Sequence, residues 1–297
     1  VTGCALALEE ALTEAGFPEG VFRTLLVGHE GVGRLLDDRR VAGVSVTGST
    51  EVGQAVAARA GKTLKTCVLE LGGSDPFIVL ADADLERAVA GAVTGRLLNT
   101  GQSCIAAKRF LIEEPVYDEF VQRFAAAMAA RRVGDPLDPA VDVGAIVNAD
   151  ELANLEAQIA DAVQRGARLV CGGRRLDRPG QFLPPTVLAE VDPEMRVWRE
   201  EVFGPVAPVM AVPDADAAVR LANASEFGLG GSVWTADLVR GEALVRRLEC
   251  GSAFVNSIVK SDPRMPFGGV KQSGLGRELS WFGLRAFTNI KGLNLYA

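Results

Sequence analysis

A cysteine that could act as a nucleophile lies in a polar, glycine-containing stretch. Residues 99–104 read Asn-Thr-Gly-Gln-Ser-Cys, between a helix-like run over 85–98 and a strand-like run over 106–112. The polar approach is expected to keep backbone donors and solvent near the sulfur of Cys104, which makes it the candidate nucleophile. The remaining cysteines have apolar neighbours and are predicted to be small core residues: Cys4, Cys67, Cys171 and Cys250.

A carboxylate that could serve as a base lies upstream of the cysteine. A Val-Leu-Glu-Leu-Gly-Gly run places Glu70 at the end of an apolar strand, where two glycines allow the backbone to turn sharply. A thiol and a base are the groups needed for covalent chemistry on a carbonyl carbon. The single histidine, His29, is far from Cys104 in the sequence, so a carboxylate is the better candidate. The alternative is that Glu70 only pairs with Lys62 or Lys65.

A strand, a tight turn and a helix start follow one another over residues 44–53. Gly48 would let the backbone approach a ligand, and Ser49 could cap the helix or donate to a phosphate. The helix N-terminus offers free N–H groups to a pyrophosphate. With Gly53 the spacing is G-x-x-x-x-G, which differs from the dinucleotide fingerprint G-x-G-x-x-G. The alternative is an ordinary capped turn without a ligand.

An acid and an aromatic ring lie close together over residues 200–205, which read Glu-Glu-Val-Phe-Gly-Pro. The carboxylate of Glu201 could accept hydrogen bonds from sugar hydroxyls, with Phe203 against a flat ring. The alternative is a surface acid pair that precedes a strand.

Charge and hydropathy exclude several classes of function. The chain has 297 residues, a net charge of −7 and 48% apolar residues, which are typical of a soluble globular protein. No run of Lys or Arg supplies a phosphate-neutralising face, so nucleic acid is not an expected partner. No apolar run reaches the ~18 residues of a membrane span. The scattered cysteines indicate neither a metal site nor disulfides, and a reducing cytoplasm is the expected location.

The pattern of elements predicts an α/β fold with a doubly wound parallel sheet. Short strand–helix units fill the first third of the chain, with strands at 21–27 and 41–46, and a second α/β unit follows. The segment 285–295 is predicted to be an extended strand without a partner in its own chain, which indicates an oligomer edge. No initiator methionine precedes the amphipathic helix at 5–15, so we expect a chain cut from a longer one.

In combination and in this order, the motifs resemble those of the aldehyde dehydrogenase superfamily. The series comprises Val-Thr-Gly-Ser-Thr-Glu-x-Gly (46–53), Glu-Leu-Gly-Gly (70–73), Gly-Gln-Ser-Cys (101–104), Glu-Glu-Val-Phe-Gly-Pro (200–205) and Pro-Phe-Gly-Gly-Val-Lys-Gln-Ser-Gly (266–274). The resemblance extends from residue 1 to 297. The segments at 70–76, 104–109 and 276–280 are most similar to the NAD(P)-dependent succinate-semialdehyde dehydrogenases.

The resemblance implies roles for the candidate residues. Cys104 would attack an aldehyde to form a thiohemiacetal, with its backbone N–H holding the oxyanion, and Glu70 would then activate water to hydrolyse the thioester. The cofactor would be NAD or NADP, which accepts the hydride. Its contacts would be Gly48, Ser49 and Gly53 at the pyrophosphate, Leu71 beside the carboxamide, Glu201 at the nicotinamide ribose and Phe203 at the boundary of the nicotinamide site.

The resemblance also implies a domain organisation. Residues 1–72 would be the remainder of the NAD(P)-binding domain, 73–284 the catalytic domain and 285–297 a bridging tail of a homodimer or homotetramer. The chain would begin after the oxyanion-hole asparagine and after the residue that distinguishes NAD from NADP. Full catalysis by this chain alone is therefore not expected.

The expected substrate is a small aldehyde, with succinate semialdehyde favoured. In succinate-semialdehyde dehydrogenases an arginine directly precedes Asn-Thr-Gly-Gln and pairs with the substrate carboxylate, whereas this chain has Leu98 there and its nearest arginine is Arg96. Two alternatives stay open. One is a nicotinamide-independent cysteine thioesterase or acyl transferase that uses Cys104 and Glu70, and the other is a catalytically incompetent fragment that acts only in assembly.

Overall fold

A computed structural model of the protein describes residues 2–296. The helices are α1 (Thr2–Glu14), α2 (His29–Asp37), α3 (Thr50–Gly61), α4 (Leu85–Leu97), α5 (Glu114–Ala129), α6 (Ala149–Gln164), α7 (Arg196–Arg199), α8 (Ala215–Asn223), α9 (Leu238–Val245) and α10 (Ser280–Ala286). The strands are β1 (Gly43–Thr47), β2 (Thr66–Glu70), β3 (Asp75–Val79), β4 (Ala107–Glu113), β5 (Arg168–Cys171), β6 (Thr186–Ala189), β7 (Val206–Val212), β8 (Phe227–Gly228), β9 (Gly230–Trp234), β10 (Ser252–Val255), β11 (Val270–Lys271) and β12 (Gly274–Leu275).

Side-chain caps define where the major helices begin. In each case an Asp, Asn or Ser oxygen accepts a backbone N–H of the first turn, which satisfies a donor that the helix itself leaves free. The capping residues are Ser49 for α3, Asp84 for α4, Asn148 for α6, Asp214 for α8 and Asp237 for α9.

Ten of the described strands form a large and a small sheet on the two sides of the site, and β8 and β11 pair in a separate two-stranded antiparallel sheet. The large sheet has seven strands in the order β10-β9-β3-β4-β7-β6-β5, all parallel except the edge strand β5. The small sheet has the order β1-β2-β12, with β1 and β2 parallel. The predicted α/β fold with a parallel sheet is confirmed.

Helices cover both faces of the large sheet, and a hydrophobic core lies on each face. Along β3, Ile78 belongs to one core, whereas Phe77 and Val79 belong to the other. Along β4, Leu111 belongs to the core that contains Ile78, and Phe110 belongs to the other core. This division follows from the period of two in a strand, and it explains the near-continuous apolar sequence of these strands.

The connection between β2 and β3 joins the two sheets. β2 ends at Glu70 in the small sheet, and β3 begins at Asp75 in the large one. Residues 71–74 between them are irregular and buried. The carboxyl end of β2 therefore lies where the sheets meet, and this position determines where the site forms.

Two expectations from the sequence are wrong. Residues 21–27 form no strand and are mostly exposed, because no described strand lies beside them to complete their backbone hydrogen bonds. The strand expected at 285–295, with its partner outside its own chain, stays a prediction for residues 287–295, whereas α10 runs to Ala286 and the residues after it are irregular and exposed. Ala297, at the end of the predicted tail, lies outside the described residues. Cys4 is exposed on α1, because the apolar neighbours of that helix have no core to pack on.

No helix within residues 2–296 is long and apolar enough to cross a membrane.

Two leucines provide a test of the core. Leu111 is fully buried on β4, whereas Leu137 is 89% exposed in a loop. We expect Leu111→Ala to lower the free energy of unfolding by about 2–5 kcal/mol, because it leaves a cavity in a packed core. The matched control Leu137→Ala should change it by less than about 0.5 kcal/mol. Urea denaturation of the natural full-length protein measures both, and equal effects would contradict the assignment of the core.

Candidate active site

A cavity of about 620 Å³ lies between the two sheets. It brings together six of the eight residues that the sequence predicted for the site: Gly48, Ser49, Leu71, Cys104, Glu201 and Phe203. Glu70 and Gly53 do not line it. The other residues of the wall are Thr47, Gly72, Gln102, Ser103, Glu151 and Asn154.

One wall of the cavity is the turn from β1 into α3. Ser49 caps the helix by accepting the N–H of Val52 at 3.4 Å, so the N-terminus of α3 faces the cavity at this turn. Gly53 does not line the cavity and lies against the residue after β2. A Cβ there would lie 2.5 Å from the side chain of Leu71, so its missing side chain lets α3 pack closely on the residue after β2.

The opposite wall is the loop that carries Cys104. Three successive residues adopt left-handed backbone conformations, namely Asn99 (φ 52°), Thr100 (φ 61°) and Gly101 (φ 75°). Such conformations are costly for non-glycine residues and persist where the surroundings hold them. Here Asn99 Nδ2 donates to the carbonyl of Gln102 at 2.9 Å, and Gln102 Nε2 donates to the carbonyl of Ala145 at 3.1 Å.

Arg96 stabilises the loop that carries Cys104 through hydrogen bonds to backbone carbonyls. Its guanidinium is fully buried and donates through Nη2 to the carbonyl of Gly101 at 2.8 Å and to that of Val202 at 3.4 Å. Burial lowers its pKa to about 9. Arg96 therefore stabilises backbone and does not face the cavity, and nothing places it as the partner of a substrate carboxylate.

The thiol of Cys104 lies at the boundary of the cavity and the protein interior. Burial raises its pKa, with a further rise from the negative charges of Asp75 and Glu201, while the positive charge of Lys108 and the N–H of Ile105 lower it. In the described part of the chain, no carbonyl accepts from the Cys104 backbone N–H. That N–H is therefore available to a ligand oxygen close to the sulfur.

A buried ion pair connects the loop to Glu201. Lys108 Nζ lies 3.1 Å from Glu201 Oε1 and is fully buried, whereas the Glu201 side chain is 22% exposed towards the cavity. The sequence analysis missed Lys108. A lysine and an arginine in an otherwise apolar strand, at positions 108 and 109, were the signal that could have identified it, because buried charges require partners.

The two glycines after β2 allow backbone and side chains to approach each other. A Cβ on Gly73 would lie 2.7 Å from the carbonyl oxygen of Cys104, and one on Gly72 would clash with the carboxylate of Glu201. The N–H of Gly73 donates to Glu201 Oε1 at 3.1 Å. The predicted sharp turn therefore also provides the close approach that brings Cys104 and Glu201 to one place.

Glu70 ends β2, directly before Leu71 of the cavity wall, and pairs with Gly274 of β12. Its side chain is buried, and neither carboxylate oxygen has a partner among the described residues. Burial and the nearby charge of Glu278 raise its pKa to about 7, while Arg277 opposes the rise. The pairing with Lys62 or Lys65 does not occur, since Lys65 Nζ donates to the carbonyl of Asp38.

Two further residues of the cavity come from α6. Glu151 and Asn154 lie three positions apart on one face of the helix, and burial raises the pKa of Glu151. The sequence contained no signal for them. Their helix is far along the chain from the loop that carries Cys104 (residues 98–106, the nucleophile loop), and it has an ordinary amphipathic pattern.

The donors and acceptors of the cavity suit a dinucleotide better than a metal ion. The start of α3 can bind an anion, Glu201 can accept from ribose hydroxyls, and Phe203 and Leu71 provide apolar walls. Residues 2–296 contain no group of three or more His, Cys, Asp or Glu side chains that could hold a metal ion. The residues present therefore fit a nicotinamide dinucleotide.

Comparison with known proteins identifies relatives along the whole described range. The profile of the aldehyde dehydrogenase family matches residues 1–293. The NADP-dependent succinate-semialdehyde dehydrogenase 1 of Mycobacterium tuberculosis (strain H37Rv) is 51% identical over 291 residues, which are 98% of this chain and 64% of that protein. The NADP-dependent succinate-semialdehyde dehydrogenase of Mycobacterium leprae is 50% identical over 291 residues, which are also 98% of this chain and 64% of that protein.

Solved structures agree with the fold. The structure of Gox0499 covers all of this chain with a TM-score of 0.96 and 44% identity, and the match covers 65% of that chain. The structure of a Mycobacterium tuberculosis aldehyde dehydrogenase in complex with NAD+ has a TM-score of 0.93 and 38% identity, with 96% of this chain and 59% of the other covered.

The chain spans about 64% of the length of the curated relatives it matches. Within that span, the family profile, the sequence identities and the structural likeness agree with one another. The chain belongs to the aldehyde dehydrogenase family.

Proposed function

We propose that the protein of which this chain is part oxidises a small aldehyde to the carboxylic acid with NAD or NADP. The observation that supports this most strongly is the shared cavity between the two sheets, which joins the Cys104 thiol, the N-terminus of α3 and the carboxylate of Glu201. A cysteine hydrolase would need the thiol but would have no use for an anion-binding helix start and a ribose-binding acid. The combination therefore favours oxidation of an aldehyde.

The first step is attack by the Cys104 sulfur on the carbonyl carbon. The nucleophile is the thiolate. Because the pKa of the thiol is raised, the thiol must first give its proton to solvent water in the cavity. The bond from sulfur to carbon forms a thiohemiacetal, and the carbonyl oxygen becomes an oxyanion. The free backbone N–H of Cys104 is positioned to donate to that oxygen, which is the usual way of stabilising such a charge.

In the second step the thiohemiacetal carbon loses a hydride and becomes a thioester. A bound nicotinamide would supply the hydride acceptor. The chain's own part would be orientation: Glu201 would accept from the ribose hydroxyls, while Phe203 and Leu71 would bound the ring site. Small errors in this orientation are costly, because reaction requires near contact between the reacting atoms.

In the third step water attacks the thioester, and Glu70 acts as the general base. A pKa of about 7 suits this role, since a base works best when its pKa is close to the operating pH. Water adds to the carbonyl carbon, its proton passes to Glu70, and the Cys104 sulfur leaves as the acid is released. The unpartnered oxygens of Glu70 leave it free to bind that water.

The substrate that we favour is succinate semialdehyde with NADP as cofactor, on the strength of the relatives at about 51% identity whose names carry both. The carboxylate of such a substrate needs a cationic partner other than Arg96, whose guanidinium is bonded to two backbone carbonyls.

We further propose that residues 73–284 form the catalytic domain, that 1–72 belong to the cofactor-binding domain, and that the tail contributes to a homodimer or homotetramer. The proposal for the tail is supported by its exposed apolar side chains, which soluble proteins normally cover: Phe287, Ile290, Leu293, Leu295 and Tyr296. The free cysteines are consistent with a reducing cytoplasm.

Replacement of the nucleophile tests the first step. Cys104→Ala should reduce NAD(P)H formation from succinate semialdehyde or acetaldehyde by about 10³-fold or more, because the covalent intermediate cannot form. The matched control is Cys4→Ala, which removes an exposed thiol and should leave turnover unchanged. The measurement is absorbance of the reduced nicotinamide in the natural full-length protein. Equal turnover of the wild type and Cys104→Ala would refute the assignment.

The base can be tested by pH. Because only ionised Glu70 accepts a proton, thioester hydrolysis should rise as the pH increases through about 7. Glu70→Gln should lose this rise and slow hydrolysis by about 10²–10⁴-fold, with an acyl-enzyme that accumulates after a burst. Rapid-quench kinetics across pH 5–9 measures both effects. An unaltered pH dependence in the variant would exclude Glu70 as the base.

The role of Glu201 can be separated from that of its neighbour. Glu201→Gln should slow hydride transfer by about tenfold to a hundredfold, because the nicotinamide ring is held less firmly. Glu200→Gln is the matched control, since Glu200 pairs with Arg196 and Gln158 and does not line the cavity. A primary isotope effect with deuterated aldehyde identifies the slowed step. Equal kinetics for the two variants would remove Glu201 from the site.

A further inference from the structure

The ammonium group of Lys108 contacts both the loop that carries Cys104 and the carboxylate of Glu201. Lys108 Nζ donates to the carbonyls of Ser103 and Cys104, each at 2.8 Å, and lies 3.1 Å from Glu201 Oε1. An ammonium has three N–H donors, so all of them are used. Lys108 itself is fully buried on β4, in the large sheet.

The same carboxylate is held from a second direction. Glu201 Oε1 also accepts the N–H of Gly73, and Gly73 lies against the Cys104 carbonyl because it has no Cβ. The nucleophile loop, the turn after β2 and the segment before β7 therefore meet at Lys108. A shift in any one of them would alter the bonds of the others.

Acidic and basic side chains surround the ammonium group of Lys108. The groups that act on Lys108 are Glu201, Asp75 and Arg96, and those that act on the Cys104 thiol are Lys108, Asp75 and Glu201. Burial lowers the pKa of Lys108, while Glu201 and Asp75 oppose that change. Removal of the ammonium would leave the buried Asp75 and the partly exposed Glu201 near the thiol with less compensating positive charge.

We propose that Lys108 is a positioning residue, which holds the backbone of the nucleophile loop and the carboxylate of Glu201 in one arrangement and places a positive charge beneath Cys104. The proposal rests on the function proposed above and adds to it a residue outside the cavity. Two consequences follow. The thiolate form of Cys104 should depend on Lys108, and so should the affinity of the Glu201 site for the cofactor.

The test is the pH dependence of Cys104 alkylation by iodoacetamide, followed by mass spectrometry of the Cys104 peptide in the natural full-length protein. In Lys108→Met the midpoint should rise by about one pH unit, because a nearby positive charge favours the thiolate. The KM for NADP should rise in the same variant by about tenfold, because Glu201 loses a partner. Wild-type values for both quantities would overturn the proposal.

The matched control is Lys65→Met. Lys65 is also buried and donates to a backbone carbonyl, that of Asp38, at 2.9 Å, but it has no contact with the nucleophile loop. Its replacement should lower stability without moving the alkylation midpoint. An equal midpoint shift in Lys65→Met would show that general loosening, and not Lys108, is responsible.

If Lys108→Met does not fold, the double variant Lys108→Met/Glu201→Gln replaces it, because it removes both members of the buried ion pair. Its midpoint should lie above that of the wild type, since Lys108 has a larger influence on the thiol than Glu201. A midpoint at or below the wild-type value would overturn the proposal. Alkylation requires no turnover, so a shifted midpoint in a protein that oxidises no aldehyde would refute the proposed function and leave the role of Lys108 intact.

Discussion

The site depends on the contact between the Gly72–Gly73 backbone and the loop that carries Cys104. β2 and β3 belong to different sheets, and the chain between them must cross from one to the other in four irregular residues. Because neither glycine has a Cβ, the turn can lie against the Cys104 carbonyl and the Glu201 carboxylate. Cys104, Glu201 and the end of β2 are therefore brought together by a turn that larger side chains would force apart.

Burial of the charged side chains around that turn lowers the stability of the fold. Lys108, Arg96 and Asp75 are almost completely buried, and a buried ion pair seldom stabilises a protein more than apolar side chains of the same size. Two N–H-bearing nitrogens of Arg96 and one oxygen of Asp75 have no partner among the described residues. The left-handed residues of the nucleophile loop add strain. Such costs concentrated around one thiol are typical of a functional site.

Much of the site could be predicted from local sequence. The polar approach to Cys104, the strand-end position of Glu70 and the acid beside Phe203 are features of short segments. The helix predicted at 85–98 and the strand predicted at 106–112 lie within one residue of their observed bounds. The error at residues 21–27 has a physical reason, since these residues have the apolar pattern of a strand but a strand also needs a partner. Gly53, predicted as a pyrophosphate contact, does not line the cavity, and its missing side chain accommodates Leu71.

The sequence by itself determined the class of fold and which side chains are candidates for the chemistry, because periodicity, capping residues and glycine turns act over a few positions along the chain. The tertiary structure alone decided which residues, distant in sequence, share the cavity. It also decided how far each side chain is buried there and which charges surround it. Glu151 and Asn154 reach the cavity from α6, and Lys108 reaches Glu201 from β4 across contacts distant in sequence. The pKa of Glu70 is raised to about 7 by burial, and burial depends on how the sheets pack together.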